Sequence, residues 1–157
     1  MPDSKNYHKL RLFLASPSDV AQEREYVRAV VNDLNKSGSG VADAQGIQFE
    51  VLGYDTHVSP NMGRPQGVTF DQLPPDKWDL FIGILWQRFG SPTGAIDPHT
   101  GKEFESGSIE EFTRAYELWK QHGAPRILFY RCVRTPEAAN IVELQTKLAQ
   151  LQPINDF

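Results

Sequence analysis

Three groups of residues in this 157-residue chain have types and spacings suited to chemistry. The first is Ala15-Ser16-Pro17-Ser18-Asp19, which leads from a short apolar run into a helical pattern. The free amides and positive dipole end at such a helix start favour a phosphate or carboxylate, and the same residues serve equally well as plain helix caps. The second is Glu110-Glu111, just inside a helical pattern that follows Gly107-Ser108. A carboxylate beside a crevice hydrogen-bonds ribose hydroxyls, or stabilises a developing oxocarbenium ion at a sugar C1′ electrostatically or as a nucleophile. Two glutamates in a first helical turn also complement the macrodipole without any chemistry. The third group is aromatic: Tyr54, Trp86 and Phe89 fall at strand ends or in loops. A purine or nicotinamide ring stacks on such residues, and core packing is the competing fate. Arg64, within Gly63-Arg64-Pro65-Gln66, offers a planar fork to a phosphate or to solvent.

Other chemistries find little in the sequence. His57 and His99 lack metal-ligand spacing, so neither a metal nor a resident cofactor is expected. There is no GxGxxG, GxxxxGK[ST] or GxSxG segment, and Cys132 falls within a predicted strand rather than beside a histidine. A single cysteine excludes an internal disulfide and points to a reducing compartment. Sixteen Lys and Arg stand against twenty Asp and Glu, for a formal charge of −4, and the basic residues are scattered. No nucleic-acid partner is expected from that balance. The first ten residues lack a signal-peptide core, and no apolar run approaches the length of about 18 residues needed to span a bilayer. A cytoplasmic protein with no membrane partner is the expectation.

The elements that must position these groups follow from periodicity. Residues 10–15 form an apolar strand, after which Val20, Val27, Val30, Val31 and Leu34 mark a helical stripe with Glu23, Arg28 and Asp33 facing water. Ser18 or Asp19 is the expected cap, Asp19 with Gln22 forming a capping box. Residues 36–46 read as a connection and 47–52 as a second strand; 54–77 is irregular, with room for a short helix over 66–73. Residues 78–86 are the most apolar run, apolar on both faces as in the middle of a parallel sheet. A long loop over 87–106 follows, then a helix capped by Ser108 with Ile109, Phe112, Ala115, Tyr116 and Trp119 inward, and a strand over 127–133. Residues 137–151 carry one more helical pattern, and the chain reads as the N-terminal part of something longer. Alternation of this kind predicts a doubly wound α/β sheet whose ligand crevice lies beyond the carboxyl ends of the strands.

The segments LRLFLASPSDVAQERE, GRPQGVTFDQLPPDKWDLFIGILWQRFGSPTG and ESGSIEEFTRAYELWKQHGAPRILFY, in that order over residues 9–133, resemble a TIR-like domain family found at the N-termini of STAND-type (NACHT or similar) signalling ATPases. That family is distantly similar to TIR domains and to nucleoside 2-deoxyribosyltransferases. The resemblance implies a flavodoxin-like three-layer α/β fold with a mainly parallel sheet over residues 1–135, and a C-terminal helical segment over 136–157 that leads towards a further domain. In the transferase pattern a Gly-Thr pair precedes the working glutamate, which stands four residues after the glycine; here Gly107-Ser108 precedes Glu111 at that spacing, with serine in place of threonine. The resemblance therefore implies Glu111 as the catalytic residue, with Glu110 as the fallback. It implies Ser16 and Asp19 on the ribose or phosphate side and Trp86 and Phe89 at the base, with Arg64 and Ser108 completing a nucleotide site. NAD would be the substrate of an N-glycosidic hydrolysis in antiviral, innate-immune signalling. The alternatives are a non-catalytic module for self-association, effector recruitment or contact with the STAND ATPase, and a deoxyribosyltransferase-like enzyme.

Overall fold

The first strand, β1 (His8–Ala15), sends Leu12 and Leu14 to one face and Phe13 and Ala15 to the other, and all four are buried. A strand apolar on both faces needs helices on both, and the rest of the chain supplies them. The computed structural model describes residues 6–59, 62–87 and 92–156. After β1 come a 3-10 turn (Ser18–Val20), α1 (Ala21–Leu34), α2 (Val41–Ala44), β2 (Ile47–Leu52), α3 (Tyr54–His57) and α4 (Pro65–Gln72). A second 3-10 turn (Pro75–Lys77), β3 (Leu80–Leu85), α5 (Gly107–His122), β4 (Arg126–Arg131) and α6 (Ile141–Asp156) complete the order.

The strands form one parallel sheet in the order β2-β1-β3-β4. Flanked by helices on both faces, it is a flavodoxin-like three-layer α/β fold. On one face Val20, Val27 and Val31 of the α1 segment pack on Leu12, Leu14, Ile82 and Ile84. On the other, Phe70 and Leu73 beside α4 and Phe112 and Ala115 of α5 pack on Phe13, Trp78 and Phe81. Phe13 has no exposed surface, and its ring stacks on Trp78 with centroids 3.9 Å apart. Within residues 92–106, ahead of α5, an antiparallel bridge joins Ile96 and Glu103, and Phe104 is buried. Gly83 of β3 is required by close approach, because a Cβ there would stand 2.6 Å from the Phe129 ring on β4. No helix among the described residues is long and apolar enough to cross a membrane.

Local expectations from the sequence need four corrections. The start of α1 carries no side-chain cap, because the 3-10 turn intervenes and Asp19 Oδ2 instead accepts from the Gln87 backbone N–H at 3.1 Å. Ser106, not Ser108, caps α5, its Oγ accepting from the Ile109 N–H at 3.2 Å. Val30, Tyr116 and Trp119, placed inward by periodicity, are 58%, 41% and 47% exposed, because each helix covers less of the sheet than its apolar stripe would allow. Glu23 and Arg28 do not face open water: Glu23 pairs with Arg134 at 2.9 Å and Arg28 with Asp55 at 2.9 Å.

Phe13→Ala removes the ring shared by Trp78 and Phe81 and should cost roughly 3–5 kcal/mol. Val133→Ala, at an exposed position, should stay within about 0.5 kcal/mol of the parent. Urea unfolding of the two variants beside the parent checks both values.

Candidate functional site

β1 connects onward to β2 on one side, while β3 connects to β4 on the other, so the strand order reverses between the two inner strands. A crevice at the carboxyl end of such a reversal is where open α/β sheets take ligands. One is present there, with a volume of about 450 Å³, within the range of roughly 300–1,000 Å³ usual for small-molecule sites. Leu14, Ser16 and Pro17 form its floor at the end of β1, and Gly107, Ser108 and Glu111 form one wall from the first turns of α5. Arg24, Tyr54 and Asp55 stand elsewhere on its lining, with Pro65, Gln66 and Pro92.

Adjacent residues on a helix point about 100° apart, so Glu110 and Glu111 meet different surroundings. Glu110 is fully buried and takes both arms of the Arg64 guanidinium, at 2.5 Å and 2.9 Å. Arg114, one turn along α5, stands 3.9 Å away. A bidentate fork of this kind is a charge-assisted pairing with fixed geometry. Glu111 is only 5% exposed, and among the described residues no cation pairs with it. Burial first, and then the charge of Glu110, push its pKa up to about 8, against a smaller opposing effect of a hydrogen bond with the Gln66 side chain. Glu111 is therefore mainly a neutral acid at pH 7.

Gln66 reaches Glu111 because residue 107 has no side chain. A Cβ on Gly107 would lie 2.0 Å from Gln66 Nε2. The glycine in front of the glutamate is thus the space through which a neighbouring helix touches it.

The structure brings Ser16, Ser108 and Glu111 to one crevice, with Tyr54 half-exposed at its lining. Ser16 Oγ is shielded from solvent and has no hydrogen-bond partner among the described residues. Other expected site residues are placed differently. Arg64 is spent on Glu110 rather than offered to a phosphate. Trp86 and Asp19 line a separate hollow with Gln87, Glu137 and Lys147. The Trp86 indole N–H donates to the Arg134 carbonyl at 2.7 Å, and the Arg134 guanidinium covers its ring 4.0 Å from the centroid. Phe89 lies outside the described residues. His99 meets Glu117 at 3.1 Å, and among the described residues no group of three or more His, Cys, Asp or Glu is disposed to hold a metal ion.

Arg24, Asp55 and Gln66 are the site residues that the sequence reading passes over. Arg24 Nε and Asp55 Oδ2 are 3.8 Å apart, and Asp55 Oδ1 accepts from Arg28 at 2.9 Å. Arg24 belongs to a helix face that periodicity marks simply as polar, and the signal for it would have been its place one turn and more beyond the β1 carboxyl end.

Two outcomes follow. Glu111 is neutral in the fold but ionised in the unfolded chain between pH 4.5 and about 8. Its folded pKa is raised, so stability relative to Glu111→Gln should fall as pH rises through that window, by up to about 1.4 kcal/mol per pH unit. Paired melting curves from pH 5 to 9 measure this. Arg64→Ala strands a buried carboxylate and should cost about 3 kcal/mol, the low end for such a break because Arg64 is partly exposed. Adding Glu110→Gln to that variant should return part of the loss in denaturant titrations.

Set beside known proteins, the chain has no match among family models, curated proteins or solved structures.

Proposed function

We propose that the chain is a TIR-like effector domain of an immune-type STAND protein and that its crevice hydrolyses the N-glycosidic bond of NAD. The observation that carries this reading is a buried glutamate, unpaired with any cation among the described residues, on the wall of a crevice of mixed polar and apolar lining at the strand-order reversal. The motif resemblance over residues 9–133 and the flavodoxin-like sheet support it.

The chemistry suits an uncharged Glu111 in the resting protein. A pyridinium nucleotide brings a positive charge to C1′, and a nearby cation favours the ionised carboxylate. The Glu111 proton passes to solvent on binding. The C1′–N bond then breaks, its electron pair goes to the ring nitrogen, and nicotinamide leaves neutral without needing an acid. Glu111 carboxylate stabilises the oxocarbenium-like state. Water oxygen bonds to C1′ and loses one proton to solvent, giving ADP-ribose. Because the ionised form does the work, kcat/KM should rise with pH and level off above about 8, the pKa of Glu111 in the free protein.

A second reading rests on a different surface. Tyr26, Val30, Leu128 and Tyr130 leave an apolar hollow between α1 and the β4 edge, with Tyr26, Val30 and Tyr130 more than half exposed. Contiguous apolar surface of this kind suits protein contact, as a non-catalytic self-association module would need.

The test is incubation of the domain with NAD, alone and artificially clustered, with nicotinamide followed by chromatography. Release should fall by roughly 10²–10³-fold in Glu111→Gln, the scale of a lost transition-state electrostatic contact. No release in either state overturns the hydrolase and leaves the association module. Base exchange on deoxynucleosides without NAD turnover would instead identify a deoxyribosyltransferase.

A further inference from the structure

The lining of the crevice also presents a cation, Arg24, with no hydrogen bond at its guanidinium among the described residues. Arg24 of α1 has a side chain only 18% exposed, so most of that side chain is withdrawn from bulk water. Its ion-pair contact among the described residues is Asp55 at 3.8 Å, beyond hydrogen-bond length. Asp55 is itself engaged by Arg28, whose Nη2 donates to Oδ1 at 2.9 Å while Nη1 donates to Glu25 at 2.7 Å. Arg28 is thus spent on Asp55 Oδ1 and Glu25, and Arg24, paired with Asp55 Oδ2 only at 3.8 Å, brings its donors to the crevice lining. A guanidinium carries five N–H donors in a rigid plane, and withdrawing it from water without acceptors is unfavourable. Ser16, on the same crevice, contributes a shielded hydroxyl that has no partner among the described residues.

We infer that Arg24, with Ser16 beside it on the floor, forms an anion subsite that takes the phosphate of a phosphorylated nucleoside whose sugar reaches Glu111. This rests on reading the crevice as a nucleotide site, and deepens that reading by naming what selects nucleotides over free nucleosides. A planar fork matches two phosphate oxygens at once, and an added hydroxyl fixes the third direction. Glu110 is paired with Arg64, which weakens the opposition of its charge to the anion. The amino end of the 16-residue α5, with Gly107 and Ser108 on the same lining, adds a favourable dipole. Arg64, the arginine that the sequence offered for this task, is committed elsewhere, and Arg24 takes its place.

The experiment is calorimetric titration of the folded chain with ADP-ribose, adenosine and inorganic pyrophosphate, for the parent, Arg24→Gln and Arg24→Lys. The parent should bind ADP-ribose at least 10-fold tighter than adenosine, roughly the worth of one charge-assisted hydrogen bond. Arg24→Gln should erase that margin and the pyrophosphate signal while leaving adenosine unchanged, and Arg24→Lys should keep part of both. A parent that does not separate ADP-ribose from adenosine, or a folded Arg24→Gln that binds ADP-ribose like the parent, overturns the subsite. Should Arg24→Gln fail to fold, as judged by far-ultraviolet circular dichroism, the parent's phosphate preference together with Arg24→Lys decides. Phosphate-dependent binding without NAD turnover sustains the subsite and removes the hydrolase; turnover without phosphate preference does the reverse.

Discussion

The ion pair between Arg64 and Glu110 is the constraint on which the site depends. Burying a carboxylate completely is costly unless its oxygens are held, and the bidentate fork from Arg64 holds both. Arg64 is the residue immediately before α4, and Glu110 lies in the first turn of α5. One interaction therefore fixes the amino ends of two helices against each other and sets where Gln66 and Gly107 meet. That pair spends the Arg64 guanidinium on Glu110, and among the described residues no cation pairs with Glu111, which is governed first by burial. Ionised, Glu110 then adds its own repulsion to that burial. Two adjacent glutamates thus become an anchored charge and a neutral acid, a separation of environments of the kind that assigns distinct roles to carboxyl groups in one site.

The sheet supplies the frame for that arrangement. Because β1 and β3 are both inner strands and their connections leave in opposite senses, the space above their carboxyl ends is not roofed by either crossover. The aromatic stack of Phe13, Trp78 and Phe81 seats α4 and α5 on one face, and the valines beside and within α1 close the other. The crevice is bounded by the starts of these elements rather than by their middles. Polar side chains near helix starts can point into it without breaking the core.

Much of the frame was legible because its strands are apolar runs of unequal burial. Residues 47–52 read as a strand and are β2, and the run at 78–86 contains β3. The short helix expected within 66–73 appears as α4, with Pro65 as its natural first residue. Where two serines flank one glycine, pattern alone cannot choose the cap, and Ser106 took the place assigned to Ser108. In the site, the resemblance to the transferase pattern points to Glu111, four residues after Gly107, and that glycine is the clearance for Gln66. The partner of Glu110 was not legible, since Arg64 lies 46 residues earlier and nothing local marks the pairing. Arg24 escaped for the opposite reason, being one polar residue among many on α1, distinguished only by what the fold leaves unspent around it. Trp86 looked like a stacking platform from its place at a strand end, yet Arg134 covers its ring, a contact across 48 residues.

In the free protein Glu111 rests as a neutral acid, and in the proposed reaction the pyridinium ring of NAD ionises it. Carbon-13 NMR titration of the glutamate carboxyl carbons, with Glu111→Gln for assignment, tests it most directly. Titration near pH 8 is expected for the free protein, moving to lower pH in NAD and little changed in ADP-ribose, which lacks the pyridinium charge. Titration of Glu111 in the ordinary range near pH 4.5, or a value indifferent to NAD, would contradict it.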